Sequence, residues 1–202
     1  MSSGVGANET PGQDAPERPR RRKRADAQRN LDALLEAAAA VFATSGVDAP
    51  AKEITDKAGL GVGTLYRHFP KRSDLVKAVF QREVDACAEA ASVLAAEHEP
   101  AVALEQWIQR FTGFLKTKQG LAAALHSGDP AFDDLPDYFM ERFEPALSSL
   151  LEAAAAAGEI RGDVAAGDLL YAVGNLSLPG PNDGTGYSER MIALLLAGLR
   201  RT

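Results

Sequence analysis

Residues 59–69 read GLGVGTLYRHF, three glycines followed within five positions by a hydroxyl, a phenol, a guanidinium and an imidazole. Two chemistries use such a set. Alternating glycines can bare backbone N–H groups for a phosphate, or a glycine turn can cross two short helices and aim the polar residues beyond it at a partner. A dinucleotide fingerprint needs a strand ahead of the glycines, and a P-loop needs Gly-Lys-Ser or Gly-Lys-Thr. Here the preceding AKEITDKA reads as helix and no such tripeptide follows. The helix–turn–helix reading stands.

On that reading Gly59 takes the left-handed conformation that ends the first short helix. Ile54, Ala58, Leu60 and Leu65 make the apolar seam between the pair. Val62, Gly63, Thr64, Arg67 and His68 are left facing outward. Thr64 and Arg67 are the candidate readers of base edges, since Arg bidentate to guanine is the commonest specific contact. Val62 can meet a thymine methyl. Tyr66 divides between core and surface, whereas Phe69 belongs inside, as bulky aromatics usually do.

Nothing else in the chain assembles a reactive centre. His68, His98 and His126 lack the spacing of metal ligands. No strand carries a nucleophile, and no pair of carboxylates is brought together by local spacing. Neither an enzyme, a metal nor a cofactor is expected. The only cysteine, Cys87, excludes an internal disulfide, suits a reducing cytoplasm and reads as a small buried filler. No stretch approaches the roughly 18 uncharged apolar residues of a membrane span.

The elements that must position the turn are helical throughout. Residues 1–26 are rich in Gly, Pro, Ser and charge, and are expected to be a disordered basic arm. Apolar residues then recur at helical spacing from Leu31 to Phe42, up to Gly46. Short helices follow at about 51–58 and 62–69, and a long one from about 72 to 97. Further helices are expected near 101–117, 120–127, 132–157, 165–178 and 187–200, with a loop over 179–186. The class is all-α, with a three-helix head over 27–74 and a helical bundle over 75–202.

Charge divides along the same line. The net charge is −6, yet residues 18–29 hold seven Lys/Arg against one acid, while residues 76–202 hold ten against eighteen. A basic head on an acidic body confines nucleic-acid contact to one end. The cluster at Arg20–Arg24 can act as a flexible arm on phosphates or in a minor groove, or remain a solvated tail.

The stretch from Leu31 to about Phe80, and GTLYRHFP above all, resembles the DNA-binding domain of the tetracycline-repressor (TetR) family. More loosely, FLKTKQGLAAAL and GDLLYAVGNLSLP with IALLLAGLRR resemble the effector-binding domain of one subgroup. The resemblance implies a homodimeric, ligand-responsive regulator, a repressor, on a double-stranded operator. It implies that Tyr66 and His68 face phosphates, reinforced by Lys71 and Arg72. Two departures stand out: many members have Ser and Lys where this chain has Gly61 and Val62, and Ser or Thr in place of Lys71. These change the helix caps and make the position of Val62 apolar. The rival reading is a sequence-tolerant DNA-associated protein without an effector.

Within the body, the stripe of Trp107, Phe111 and Phe114, with Leu125, Phe139 and Phe143, serves either as core or as the wall of the effector cavity that the resemblance implies. The helices with Leu169, Val173 and Leu176, and with Met191, Ile192, Leu195 and Leu199, are apolar nearly all round and so buried on several sides. They are the expected dimer interface, or else central helices of a monomer. Deleting residues 1–24 should weaken DNA binding and flatten the dependence of log K on log salt, by roughly 0.9 for each phosphate that the arm no longer neutralises. An unchanged slope would make the arm a solvated tail.

Overall fold

The computed structural model describes residues 17–118, 127–178 and 186–201, with side chains placed from residue 24 onward except at 117 and 118. The expected helix at 120–127 (apart from its last residue), Leu125, and nearly all of the loop at 179–186 lie outside the described residues. So do residues 1–16 of the arm.

Helix α1 spans Glu17–Ser45. Its start corrects the expected arm boundary at residue 26, because the backbone of 17–26 is helical and continuous with the rest. Arg and Lys are good helix formers, and a chain already helical from Leu31 extends upstream at no nucleation cost. Leu34, Leu35, Ala38, Val41 and Phe42 form its buried face. Helices α2 (Ala51–Ala58), α3 (Val62–His68) and α4 (Arg72–Glu97) complete the head and run on into the body. The expected boundary at 74–75 therefore falls inside an unbroken helix. Asp74 accepts a hydrogen bond from the Lys71 backbone N–H at 3.0 Å, so the start of α4 is capped even though Lys71 offers no capping oxygen.

The body continues with α5 (Pro100–Lys118), a single 3-10 turn at Pro130–Phe132, α6 (Leu135–Ala156), α7 (Ala166–Leu176) and α8 (Tyr187–Ala197). The helix expected over 132–157 thus starts late, at Leu135, with Pro136 in its first turn, where a missing N–H costs nothing. Among the described residues there is one isolated antiparallel bridge in place of a strand, Ile160 with Arg200, and it ties the segment after α8 to the α6–α7 connection. Among the described residues, no helix is long and apolar enough to cross a membrane.

One contiguous core runs through both parts. In the head it gathers Leu34, Phe42, Ile54, Leu65, Phe69, Leu75 and Phe80. In the body α4 packs on α5 and α6 around a set of aromatic rings. Trp107 stacks on Phe111 at 5.5 Å, Phe111 meets Phe143 edge-on at 5.1 Å, and Phe139 meets Phe143 at 4.6 Å. Trp107 donates its indole N–H to the Cys87 carbonyl at 2.9 Å, so burying this ring leaves no polar atom unpaired. Burial pushes the Cys87 thiol up to about 11, which keeps it protonated and unreactive.

A half-buried polar cluster also joins α4 to α6. Asp85 accepts from the Tyr138 hydroxyl and from Arg142 Nε, each at 2.7 Å. The Tyr138 phenol is pushed up to about 12, by burial first and then by Asp85. A raised folded-state value contributes stability in full below the ordinary phenol value of about 10. That contribution is lost as pH climbs from there to about 12, because the unfolded chain releases its proton first. Tyr138→Phe should therefore flatten the alkaline fall in urea midpoint relative to wild type. Parallel falls in the two proteins would assign no such role to Tyr138.

Candidate DNA-reading head

The turn forms as its residues dictate. Gly59 stands at φ 67°, ψ 29° and closes α2 through its N–H to Asp56, while the Leu60 N–H reaches the Thr55 carbonyl at 2.9 Å. A β-carbon is strained in that conformation, so glycine is required there. Gly61 opens α3 in extended backbone. Ile54 and Leu65 are fully or nearly buried between the two helices, with Ala58 and Leu60 partly covered beside them. This small seam fixes the crossing of α2 and α3.

It also fixes what α3 presents. Val62 is 38% exposed and Tyr66, one turn later, 54%. Gly63 and Arg67 are exposed, and Thr64 and His68 half-buried. The choice left open for Tyr66 falls to the surface, while Phe69 is buried at 7%. Lys71 is exposed just beyond. Six of the expected contact residues, Val62, Gly63, Thr64, Tyr66, Arg67 and His68, therefore lie on one seven-residue helix, with Lys71 next to it.

Arg72 departs from its expected role. Its guanidinium donates to the carbonyls of Val47 and Ala49, with Nε at 2.7 Å from the first and a terminal nitrogen at 2.6 Å from the second. It also lies 4.9 Å above the Phe42 ring. Burial lowers its pKa, though Asp48 acts in the opposite direction, and an arginine stays charged at any physiological pH. A cation at a helix start invites a phosphate in sequence, but here it is turned inward onto the α1–α2 connection. Arg72 is a brace that sets α2 and α3 against α4, and only side-chain reach to loop carbonyls distinguishes the two fates.

Among the body residues, burial bears on the alternatives left open for them. Trp107, Phe111 and Phe143 are wholly buried and fill one another's space, with Phe114 at 9% and Phe139 half-covered beside them. They form core. A cleft of about 320 Å³ opens instead between α5 and α8, lined by Gln109, Thr112, Gly113 and Lys116 on one side and Glu189, Ile192 and Leu196 on the other. Lys116 Nζ lies 2.5 Å from Glu189 and holds that carboxyl below its ordinary range. Of the expected interface residues, Leu169, Val173, Ile192 and Leu199 are buried in the protomer's own core, while Leu176, Met191 and Leu195 are half-covered. The exposed apolar residues on these helices and just beyond are Tyr171 at 76%, Leu194 at 65%, Leu178 at 63% and Tyr187 at 42%.

A short exposed helix crossed on another through a glycine turn, and braced on a long third, makes this a helix–turn–helix DNA-binding protein. Sequence comparison takes the assignment further. Residues 34–79 match the family described as bacterial regulatory proteins, tetR family. Residues 99–201, just over half of the chain, match the C-terminal domain of SbtR-like transcriptional regulators. A TetR transcriptional regulator of Streptomyces coelicolor, SCO0520, is 39% identical with a TM-score of 0.72, over 85% of this chain and 98% of that one. A TetR transcription regulatory protein of Mycobacterium vanbaalenii is 32% identical with a TM-score of 0.70, over 89% and 99%. An HTH-type transcriptional regulator of Staphylococcus aureus is 41% identical over 63 residues, 31% of this chain and 34% of that protein. The chain thus spans about a third of the length of the curated relatives it matches. It belongs to the TetR family of DNA-binding transcriptional regulators.

Two arginines five residues apart should then give opposite phenotypes. Arg67→Ala should leave the melting temperature unchanged and cost about 1–3 kcal/mol on the preferred site, with relaxed preference at one base. Arg72→Met should lower stability by about 1–3 kcal/mol, because the Val47 and Ala49 carbonyls lose their donor. Calorimetry and fluorescence anisotropy on both proteins separate the two roles. A uniform affinity loss on all sequences for Arg67→Ala would make it a phosphate contact.

Proposed function

We propose that the protein is a sequence-specific repressor that binds its operator as a homodimer and releases it when a small molecule occupies the body. The observation that carries the dimer is the placing of exposed apolar residues. Tyr171, Leu178, Tyr187 and Leu194 all lie on or beside the last two described helices. Scattered exposed apolar residues need no explanation, but a cluster of them marks an association surface. One helix–turn–helix also contacts too few bases for specificity, and a two-fold dimer doubles the reading over half-sites about one helical turn apart.

The cleft between α5 and α8 supports the effector. Ile192 and Leu196 give it an apolar floor, while Gln109, Thr112, Lys116 and Glu189 give it a polar rim. Small-molecule sites combine these two features. A molecule seated there touches α8, which also carries Leu194, so occupancy and dimer geometry share one helix. Such a ligand shifts the operator equilibrium only by its differential affinity for the two arrangements.

Selection of operators from a random DNA pool, followed by titration with a small-molecule library, tests the proposal as a whole. Enrichment of one inverted repeat, and binders that lower its affinity, are expected. Equal binding of selected and scrambled duplexes would support a sequence-tolerant DNA-associated protein without an effector. Leu194→Glu should yield a folded monomer, since the side chain is 65% exposed in the protomer but its charge enters an isologous interface twice. A dimer of unchanged mass by light scattering would move the interface elsewhere. Gly113→Phe should fill the cleft, because a β-carbon at Gly113 meets nothing within 4 Å. Operator binding should survive while the ligand response disappears.

A further inference from the structure

The exposed face of α3 holds a feature that the fold does not need. Val62 is 38% exposed at the start of a helix whose only buried residue is Leu65. An exposed valine is a poor choice for a helix surface, because its branched side chain restricts χ1 and gains nothing from water. On each side of it stands a glycine. Neither is required by the backbone: Gly61 has φ −82°, and among the described glycines positive φ is confined to 46, 59, 128, 158 and 186. A β-carbon at Gly61 or Gly63 would meet nothing within 4 Å. Gly59, two residues earlier, is different, since its φ of 67° demands glycine.

The isolated methyl groups of Val62 therefore stand proud of a bare stretch of backbone, on the same helix as Arg67. Tyr66, its neighbour one turn along, extends this apolar face and is 54% exposed. In the major groove one base alone offers an apolar partner, thymine through its 5-methyl group. We infer that Val62 reads a thymine 5-methyl in each half-site, and that Gly61 and Gly63 keep the approach clear of other side chains. The inference rests on the operator-reading function proposed above and names part of its specificity.

The test replaces thymine by deoxyuridine, which keeps every hydrogen bond and removes only the methyl. With the full-length protein and the selected operator, each thymine is changed in turn and affinity is read by anisotropy. For wild type, one position in each half-site should lose about fourfold, the equivalent of one buried apolar carbon. The Val62→Ala protein should bind thymine and deoxyuridine operators equally at that position, with a circular dichroism spectrum like wild type. No sensitive position in wild type, or one whose sensitivity persists in Val62→Ala, overturns the inference while leaving operator recognition intact. Failure to select any operator removes the function it rests on and the inference with it. Gly63→Ala adds an independent check: unchanged folding with weaker operator binding supports a clear approach, and unchanged affinity removes the glycines from the argument.

Discussion

One unbroken helix runs the length of a single core that joins head and body, and the rest of the structure depends on it. α4 buries Leu75, Val76, Val79 and Phe80 near its start and Val84, Cys87, Ala88 and Ala91 further along. Its first half closes the head around Phe42, Ile54 and Leu65. Its second half receives α5 and α6, with Trp107 hydrogen-bonded to the Cys87 carbonyl. The sequence of α4 contains neither glycine nor proline, the usual causes of a kink. Burying each large aliphatic side chain along it is worth about 1.5–3 kcal/mol, so bending α4 would open the shared core at its head end or its body end.

Polar contacts then fix orientation where apolar packing alone permits sliding. Arg72 ties the start of α4 to the α1–α2 connection, and the Arg82 guanidinium reaches the Asp32 carbonyl of α1 at 2.6 Å. Lys77 meets Asp134 at 2.7 Å just ahead of α6, and Asp85 collects Tyr138 and Arg142 from one face of that helix. Exposed ion pairs such as Lys77–Asp134 contribute little by themselves. The donors of Arg72 are a different case, because they satisfy carbonyls of a turn that has no other partner for them in regular structure. Head and body are thereby held in one relative orientation by contacts spread along a single helix.

What could be read from sequence was local. Gly59, Ile54 and Leu65 lie within one turn motif, so their spacing alone defines a crossing of two helices, and the family assignment bears the reading out. The all-α class follows from the same periodicity. What could not be read required knowing which elements meet. Leu169, Val173, Ile192 and Leu199 sit on helices that are apolar on several sides, and periodicity does not say which side faces the protomer's own core. Leu194 and Tyr171, on the opposite sides, are the exposed ones. Arg72 looked like a phosphate ligand because its target carbonyls lie more than twenty residues upstream. The Asp85 cluster joins residues more than fifty apart and left no trace in any short window. The helical backbone of 17–26 was missed because a run of cations resembles a disordered tail in composition.

The stiffness of α4 also sets the scale on which a regulator of this form would switch. Its 26 residues span about 39 Å at 1.5 Å per residue. Tilting such a rod by roughly 10° about its body end swings the head by about 7 Å. In the proposed dimer both heads move, and half-sites lie about 34–36 Å apart, so a small rotation takes both α3 helices out of register together. A flexible connection between head and body would absorb the same displacement and leave the heads free to find the DNA. In the proposed regulator, coupling would come from what α4 lacks, a hinge, and from the continuous core that it shares with head and body. In the proposed mechanism, a molecule between α5 and α8 would need only to shift the packing of α4 by a few degrees for the effect to reach Arg67.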